Sequence, residues 1–232
     1  FQKFFQLNET GQLDIQTIRA LTTQRCGCAD FISESATRWG FGKNKIKASI
    51  HKFTGGLSQE RQEQLFIEAL ASIEVVCDIE FTYLGRGKAA DINVWSANKG
   101  NGLGAPNGVL AYAYLSTGEP VDLFMDLAET WIDDPKMRGV LYKNVICHET
   151  IHCCGLNHLD TPGSLMNPFY SPYIANPQAA DIRALQAIYG VPKPKPIPTP
   201  TPTPVPNPIA TIIQIVGSID SISIPGYNIT KT

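Results

Sequence analysis

Three histidines within eleven residues constrain this chain more than any other feature. The run is His148-Glu149-Thr150-Ile151-His152-Cys153-Cys154-Gly155-Leu156-Asn157-His158, and the 232-residue sequence holds only 4 His in all. His148 and His152 are four apart, so on a helix they project from one face about one turn apart and can grip one metal ion. Glu149 adjoins the first of them, where its carboxylate can reach a metal-bound water. Gly155 allows a sharp turn after the helix, which brings His158 back as a third imidazole. Three imidazoles and one open position describe a catalytic zinc site rather than a closed structural one. The chemistry expected is metal-assisted hydrolysis of an amide, with Glu149 as general base that later passes its proton to the leaving amine.

The rest of the chain can support such a helix. At 43% hydrophobic and 17% charged residues it can bury a core. No apolar run approaches the roughly 18 residues of a transmembrane helix. A net charge of −2 argues against nucleic-acid binding. Helical spacing is expected from Asp14 to about Thr22, from Ser58 to Val75, from Val140 to Cys154 and from Gln178 to Tyr189. Strands are expected over Lys45–Phe53, Ile79–Leu84, Asp91–Trp95 and Val109–Leu115.

Past residue 190 the composition changes. Nine prolines occupy every second position from Pro192 to Pro208. Each lacks a backbone donor and has a fixed φ, so the stretch reads as a semi-rigid polyproline II spacer. The β-prone tail 209–232 is either a disordered end or the start of a further module. The sequence begins at Phe1, and Asn8 and Asn228 head glycosylation sequons, which fits a piece of a secreted precursor.

The HExxHxxGxxH run is the metzincin signature, and the chain resembles the matrixins, or matrix metalloproteinases, over about residues 1–190. Met166 lies eight residues after His158, within Ser164-Leu165-Met166-Asn167-Pro168-Phe169-Tyr170. That spacing resembles the family's Met-turn, with Pro168 and Tyr170 lining the specificity pocket. Leu159 departs from the Ser usual after the third His. Upstream, Gln24-Arg25-Cys26-Gly27-Cys28-Ala29-Asp30 is similar to the cysteine switch, PRCGxPD. The resemblance implies that the Cys26 thiolate takes the open zinc position in a latent zymogen, with Arg25 and Asp30 paired to hold the loop. Both family prolines are replaced, by Gln24 and Ala29. Cys26 and Cys28 could instead be halves of disulfides.

The resemblance also implies an α+β, zincin-like fold, a twisted mixed sheet of about five strands with three helices. It divides the chain into a propeptide remnant (1–30), a catalytic domain (31–190), a linker (191–208) and the tail (209–232). Leu110 and Ala111 match the edge strand that pairs with substrate in the antiparallel sense. Asn144 falls where the family lines the pocket floor, although it could equally face solvent. Matrixins hold a structural zinc with three His and one Asp. Here two of those imidazole positions are Tyr112 and Phe124 and the Gly/Asn-rich loop holds no His, so no structural zinc is expected. Asp91 with Asp122, and Asp126 with Glu129, match calcium pairs, oxygen donors that suit Ca²⁺. The second pair lacks the family's loop Asp, replaced near Gly104. The four acids could also be solvated turns. The reading is a secreted zinc endopeptidase acting on protein or peptide substrates. The alternatives are a metzincin of other specificity, or a catalytically weak binding module tethered by its tail.

Overall fold

The computed structural model describes residues 1–3, 7–29 and 40–194, with the backbone of 221–224 and 227–230. Contacts divide the chain into two units, Phe1–Lys193 and Pro194–Thr232. The proline run beyond residue 194 lies outside the described residues.

The first unit runs α1 (Ile15–Thr22), β1 (Arg25–Cys26), β2 (Lys45–Ile50), α2 (Gln59–Glu74), β3 (Glu80–Arg86), β4 (Ile92–Ala97), β5 (Val109–Ala113), β6 (Val121–Asp126), β7 (Trp131–Ile132), β8 (Val140–Leu141), α3 (Tyr142–Cys153) and α4 (Ala179–Tyr189). The second unit holds β9 (Ser221–Ile224) and β10 (Tyr227–Thr230), paired antiparallel with Tyr227 opposite Ile224.

The main sheet has the order β1-β5-β6-β4-β2-β3. Strands β3, β2, β4 and β6 are parallel neighbours, and β5 is antiparallel to β6. The architecture is the expected mixed α+β sheet, with two additions. Strand β6 was not among the expected strands, because Asp122 and Asp126 look like turn residues. Its Val121, Leu123 and Met125 nevertheless alternate inward, which is the period of a half-buried strand. Strand β1 is the other addition: the segment around Cys26 joins the sheet alongside β5.

Two helices fill the inner face. Ser58 caps α2 by accepting the Arg61 N–H at 3.1 Å. The buried stripe of α2 is Leu65, Phe66, Ala69, Leu70 and Ile73, as its spacing predicts. Helix α3 is buried on nearly every side. It packs between α2 and strands β5 and β6, so any polar group it carries is held rigidly in the core. All six cysteines are free thiols, and Cys77, Cys147, Cys153 and Cys154 are buried. No described helix is long and apolar enough to cross a membrane.

Candidate metal centre

The three histidines converge because of how α3 ends. Gly155 has φ of 94°, a left-handed conformation that costs a residue with a Cβ about 1–2 kcal/mol. Its N–H donates to the His152 carbonyl at 2.8 Å, and the Leu156 N–H donates to the Ile151 carbonyl at 3.3 Å. This is the Schellman pattern of a helix C-terminus. The turn swings the Leu156 carbonyl back to accept from His152 Nδ1 at 2.7 Å. It also lets His158 return, with its ring centroid 4.7 Å from that of His152 and 5.4 Å from that of His148.

The hydrogen bonds assign the imidazole tautomers. A carbonyl can only accept, so His152 Nδ1 carries its proton. His148 Nδ1 does likewise, donating to the Leu165 carbonyl at 2.7 Å. Both Nε2 lone pairs then face inward, 3.0 Å apart. Two acceptors that close require a cation between them, a proton or a metal ion. Cys26 Sγ lies 3.6 Å from His152 Nε2. The ligand atoms of Cys26, His148, His152 and His158 all fall within 4.8 Å of one another. Three nitrogens and a sulfur suit zinc, so the donor set fits the metal that the sequence implies. Burial, with the neighbouring His152 and His158, pushes His148 well below its ordinary pKa and keeps its lone pair free.

Glu149 is fully buried at 0% exposure. Its Oε1 has no hydrogen-bond partner, and its Oε2 lies 3.8 Å from Cys28 Sγ. Burial raises its pKa well above that of an ordinary carboxyl.

Met166 is fully buried, and its carbonyl accepts the Leu159 N–H at 2.9 Å, one residue after His158. A residue missed in the sequence fixes this turn. Asp181, 0% exposed, accepts from Leu165 N at 2.8 Å, Met166 N at 3.1 Å, Gln178 N at 2.7 Å and the Ser164 hydroxyl. The capping box at Gln178 and Asp181 was the available signal. Because Leu165 in turn orients His148, Asp181 acts on the metal centre through one peptide group. Asp181→Ala is expected to weaken zinc affinity about 10–100-fold, measured by competition with a chelator.

The segment from Gln24 to Gly27 lies in the cleft between two walls. Arg25 N donates to the Gly108 carbonyl at 3.2 Å, and Gly27 N to the Ala111 carbonyl at 2.8 Å. On the other side Cys26 N donates to the Pro168 carbonyl at 2.9 Å, and Tyr170 N to the Gln24 carbonyl at 3.0 Å. Cys26 is 6% exposed. The Arg25 guanidinium lies over the Phe169 ring, 5.6 Å from its centroid. Asp30, its expected partner, lies outside the described residues. A pocket beside the histidines is lined by Leu110, Asn144, Val145, Leu165, Pro168, Tyr170 and Ile174. Asn144 is 4% exposed and donates to the Ser171 carbonyl at 3.2 Å, so it faces the pocket wall rather than solvent.

The acidic residues divide. Asp91 is already neutralised by Lys43 Nζ at 2.7 Å and also accepts the Lys47 N–H at 2.8 Å. Asp122 accepts from Trp95 Nε1 at 2.9 Å. A cation at Asp91 and Asp122 would compete with the Lys43 ammonium. Asp126 and Glu129 are both buried. They accept the N–H groups of Gly104 at 2.8 Å and Asn107 at 2.5 Å. Burial and the charge of Asp126 raise the pKa of Glu129. A buried pair of repelling carboxylates suits a cation. The family's Asp could not return at Gly104, where φ is +105° and an added Cβ would lie 2.4 Å from the Asn98 carbonyl oxygen. At the positions of the family's structural-zinc imidazoles, Tyr112 stacks on Phe124 with centroids 4.9 Å apart.

The comparisons with known proteins agree with this geometry. The family profile described as Matrixin matches residues 38–190, more than half of the chain. Macrophage metalloelastase of Rattus norvegicus is 32% identical over 203 residues, 82% of this chain and 43% of the relative. Neutrophil collagenase of Homo sapiens is 31% identical over 204 residues, 82% of this chain and 42% of the relative. Hatching enzyme of Paracentrotus lividus is 30% identical over 200 residues, 82% of this chain and 33% of the relative. The chain thus spans less than half the length of these curated relatives. With a profile that matches residues 38–190, relatives about 30% identical over 82% of the chain, and a three-histidine centre closed by the Gly155 turn, the chain belongs to the matrixin family.

Proposed function

We propose that this chain is a secreted zinc endopeptidase made as a latent zymogen. The observation that carries the reading is the inward pair of imidazole lone pairs, with Cys26 closing the fourth side and Glu149 buried beside them. Zinc held by His148, His152 and His158 supplies a Lewis acid that polarises the scissile carbonyl and acidifies water. Glu149 accepts the proton of the attacking water and delivers it to the leaving amine. The backbone of β5 at Leu110 and Ala111 pairs with an extended peptide. The pocket beside it takes an apolar side chain of moderate length, ending at the amide of Asn144. Latency follows from the thiol of Cys26 displacing the water that hydrolysis needs. The inhibitory segment runs parallel to β5, opposite to the sense expected of a substrate, so its peptide bonds face the site reversed.

The sequons and the relatives support an extracellular site of action and protein substrates. Residues 1–30 act as the latency segment, 31–190 as the catalytic domain and 191–208 as a spacer to a tail module at 209–232. Metal analysis tests this account. One zinc per chain is expected, and two would require a structural site that Tyr112 and Phe124 do not provide. Calcium is proposed at Asp126 and Glu129. At a calcium concentration 100 times its Kd it adds about 2.7 kcal/mol of stability. Asp126→Asn should abolish that increment in a thermal melt. The protease reading fails if a chain freed of Cys26 and loaded with zinc cleaves no generic peptide faster than a Glu149→Ala chain.

A further inference from the structure

We propose that Cys26 and Cys28 form an oxidisable dithiol, a modification site for a two-electron oxidant such as a peroxide or a small disulfide. Closing the Cys26–Cys28 disulfide would withdraw Cys26 from the histidine cluster. The inference rests on the zymogen reading above, but its chemistry is measurable separately.

Residues two apart in an extended segment point to the same side. Both sulfurs therefore face the site. The ligand atoms of Cys26, Cys28, Glu149 and His152 lie within 4.8 Å of one another. The Cys28 N–H donates to Cys26 Sγ at 3.3 Å, and Cys28 Sγ donates to the Ala113 carbonyl at 3.2 Å. Gly27 fixes this arrangement. A Cβ there would lie 2.6 Å from Val109 Cγ1 and 2.8 Å from the Asn101 carbonyl oxygen. The segment is thus pressed against the wall with a thiol on either side of its closest approach.

Exposure gives the order of events. Cys26 is buried and Cys28 only partly so, and the other four cysteines are sealed in the core. An oxidant in the cleft therefore meets Cys28 first. With hydrogen peroxide, the Cys28 sulfur attacks one peroxide oxygen, the O–O bond breaks and water leaves, giving a sulfenic acid. The Cys26 sulfur then attacks the Cys28 sulfur. The S–O bond breaks, a second water leaves and the S–S bond forms. Two thiols have lost two electrons and two hydrogens, and one peroxide has become two waters. With a small disulfide the same exchange releases two small thiols. The product sulfur of Cys26 is no longer a thiolate, the form in which cysteine ligates metal. A lone Cys26 would lack a resolving partner and would proceed toward irreversible acids.

The test uses the full chain loaded with zinc and treated with hydrogen peroxide or oxidised glutathione. The expected result is a loss of two hydrogen masses, a mapped Cys26–Cys28 crosslink, and two fewer alkylatable thiols. Peptide hydrolysis should rise toward that of an untreated Cys26→Ser chain and fall again on reduction with dithiothreitol. A Cys28→Ser chain should give neither the crosslink nor the reversible rise. A stable glutathione adduct without a crosslink would overturn the proposal. So would an identical reversible response in Cys28→Ser, or a crosslinked chain that stays latent while Cys26→Ser is active. If Cys26→Ser is itself as inert as the unaltered chain, the zymogen reading fails instead, and the crosslink still reports whether the dithiol closes.

Discussion

A Glu149→Gln chain, made in a Cys26→Ser background, is expected to lose about 10²–10⁴-fold in kcat/KM, roughly 3–5 kcal/mol of transition-state stabilisation. The substitution keeps the shape of the side chain and removes only its ability to take a proton. Glu149 is fully buried and its Oε1 meets no donor. The three imidazoles are untouched, and zinc content should stay at that of the parent. Steady-state hydrolysis of a generic peptide, with zinc measured on the same samples, separates loss of the base from loss of the metal. Retention of more than about a tenth of the parent rate would place the base elsewhere, because general base catalysis contributes at least about 10².

The second large effect runs the other way. Cys26→Ser should turn a latent chain into an active one. A latch closed 99 parts in 100 leaves about 1% of molecules open, and losing roughly 3 kcal/mol of sulfur ligation brings open and closed states to parity, a rise of about 50-fold. The backbone bonds of the segment to Gly108, Ala111 and Pro168 survive the substitution. For that reason the variant should still gain further activity when the segment is cut away by limited proteolysis. If Cys26→Ser matches the unaltered chain before cleavage, the thiol is not what holds the site closed.

These expectations come from two kinds of information. Local chemistry made the histidine centre legible. Helical spacing aligns His148 with His152, and one glycine in a Schellman turn brings His158 back. Ser58 and Gly190 mark helix ends by the same short-range rules, and the alternation in β4 assigns its inner face. The resemblance placed Pro168 and Tyr170 at the pocket, in the loop that follows the histidines, and Asn144 one turn before His148 on α3 itself.

Other features depend on partners far away in the chain. Val121–Asp126 becomes a central strand only because β4 and β5 flank it. Asp91 meets the ammonium of Lys43, 48 positions away. Asp126 and Glu129 receive their backbone donors only where the loop at Gly104–Asn107 folds over them. Cys28 approaches Glu149 across 121 positions. The sequence by itself brought the three histidines and Glu149 together and marked the helix that carries His148, Glu149 and His152, since helix geometry repeats over a few residues. Only the tertiary structure decided which carboxylates meet a cation or a backbone donor, which acid steadies the Met-turn and how many thiols face the site. Those are matters of burial and of distance in space, and spacing along the chain does not encode them.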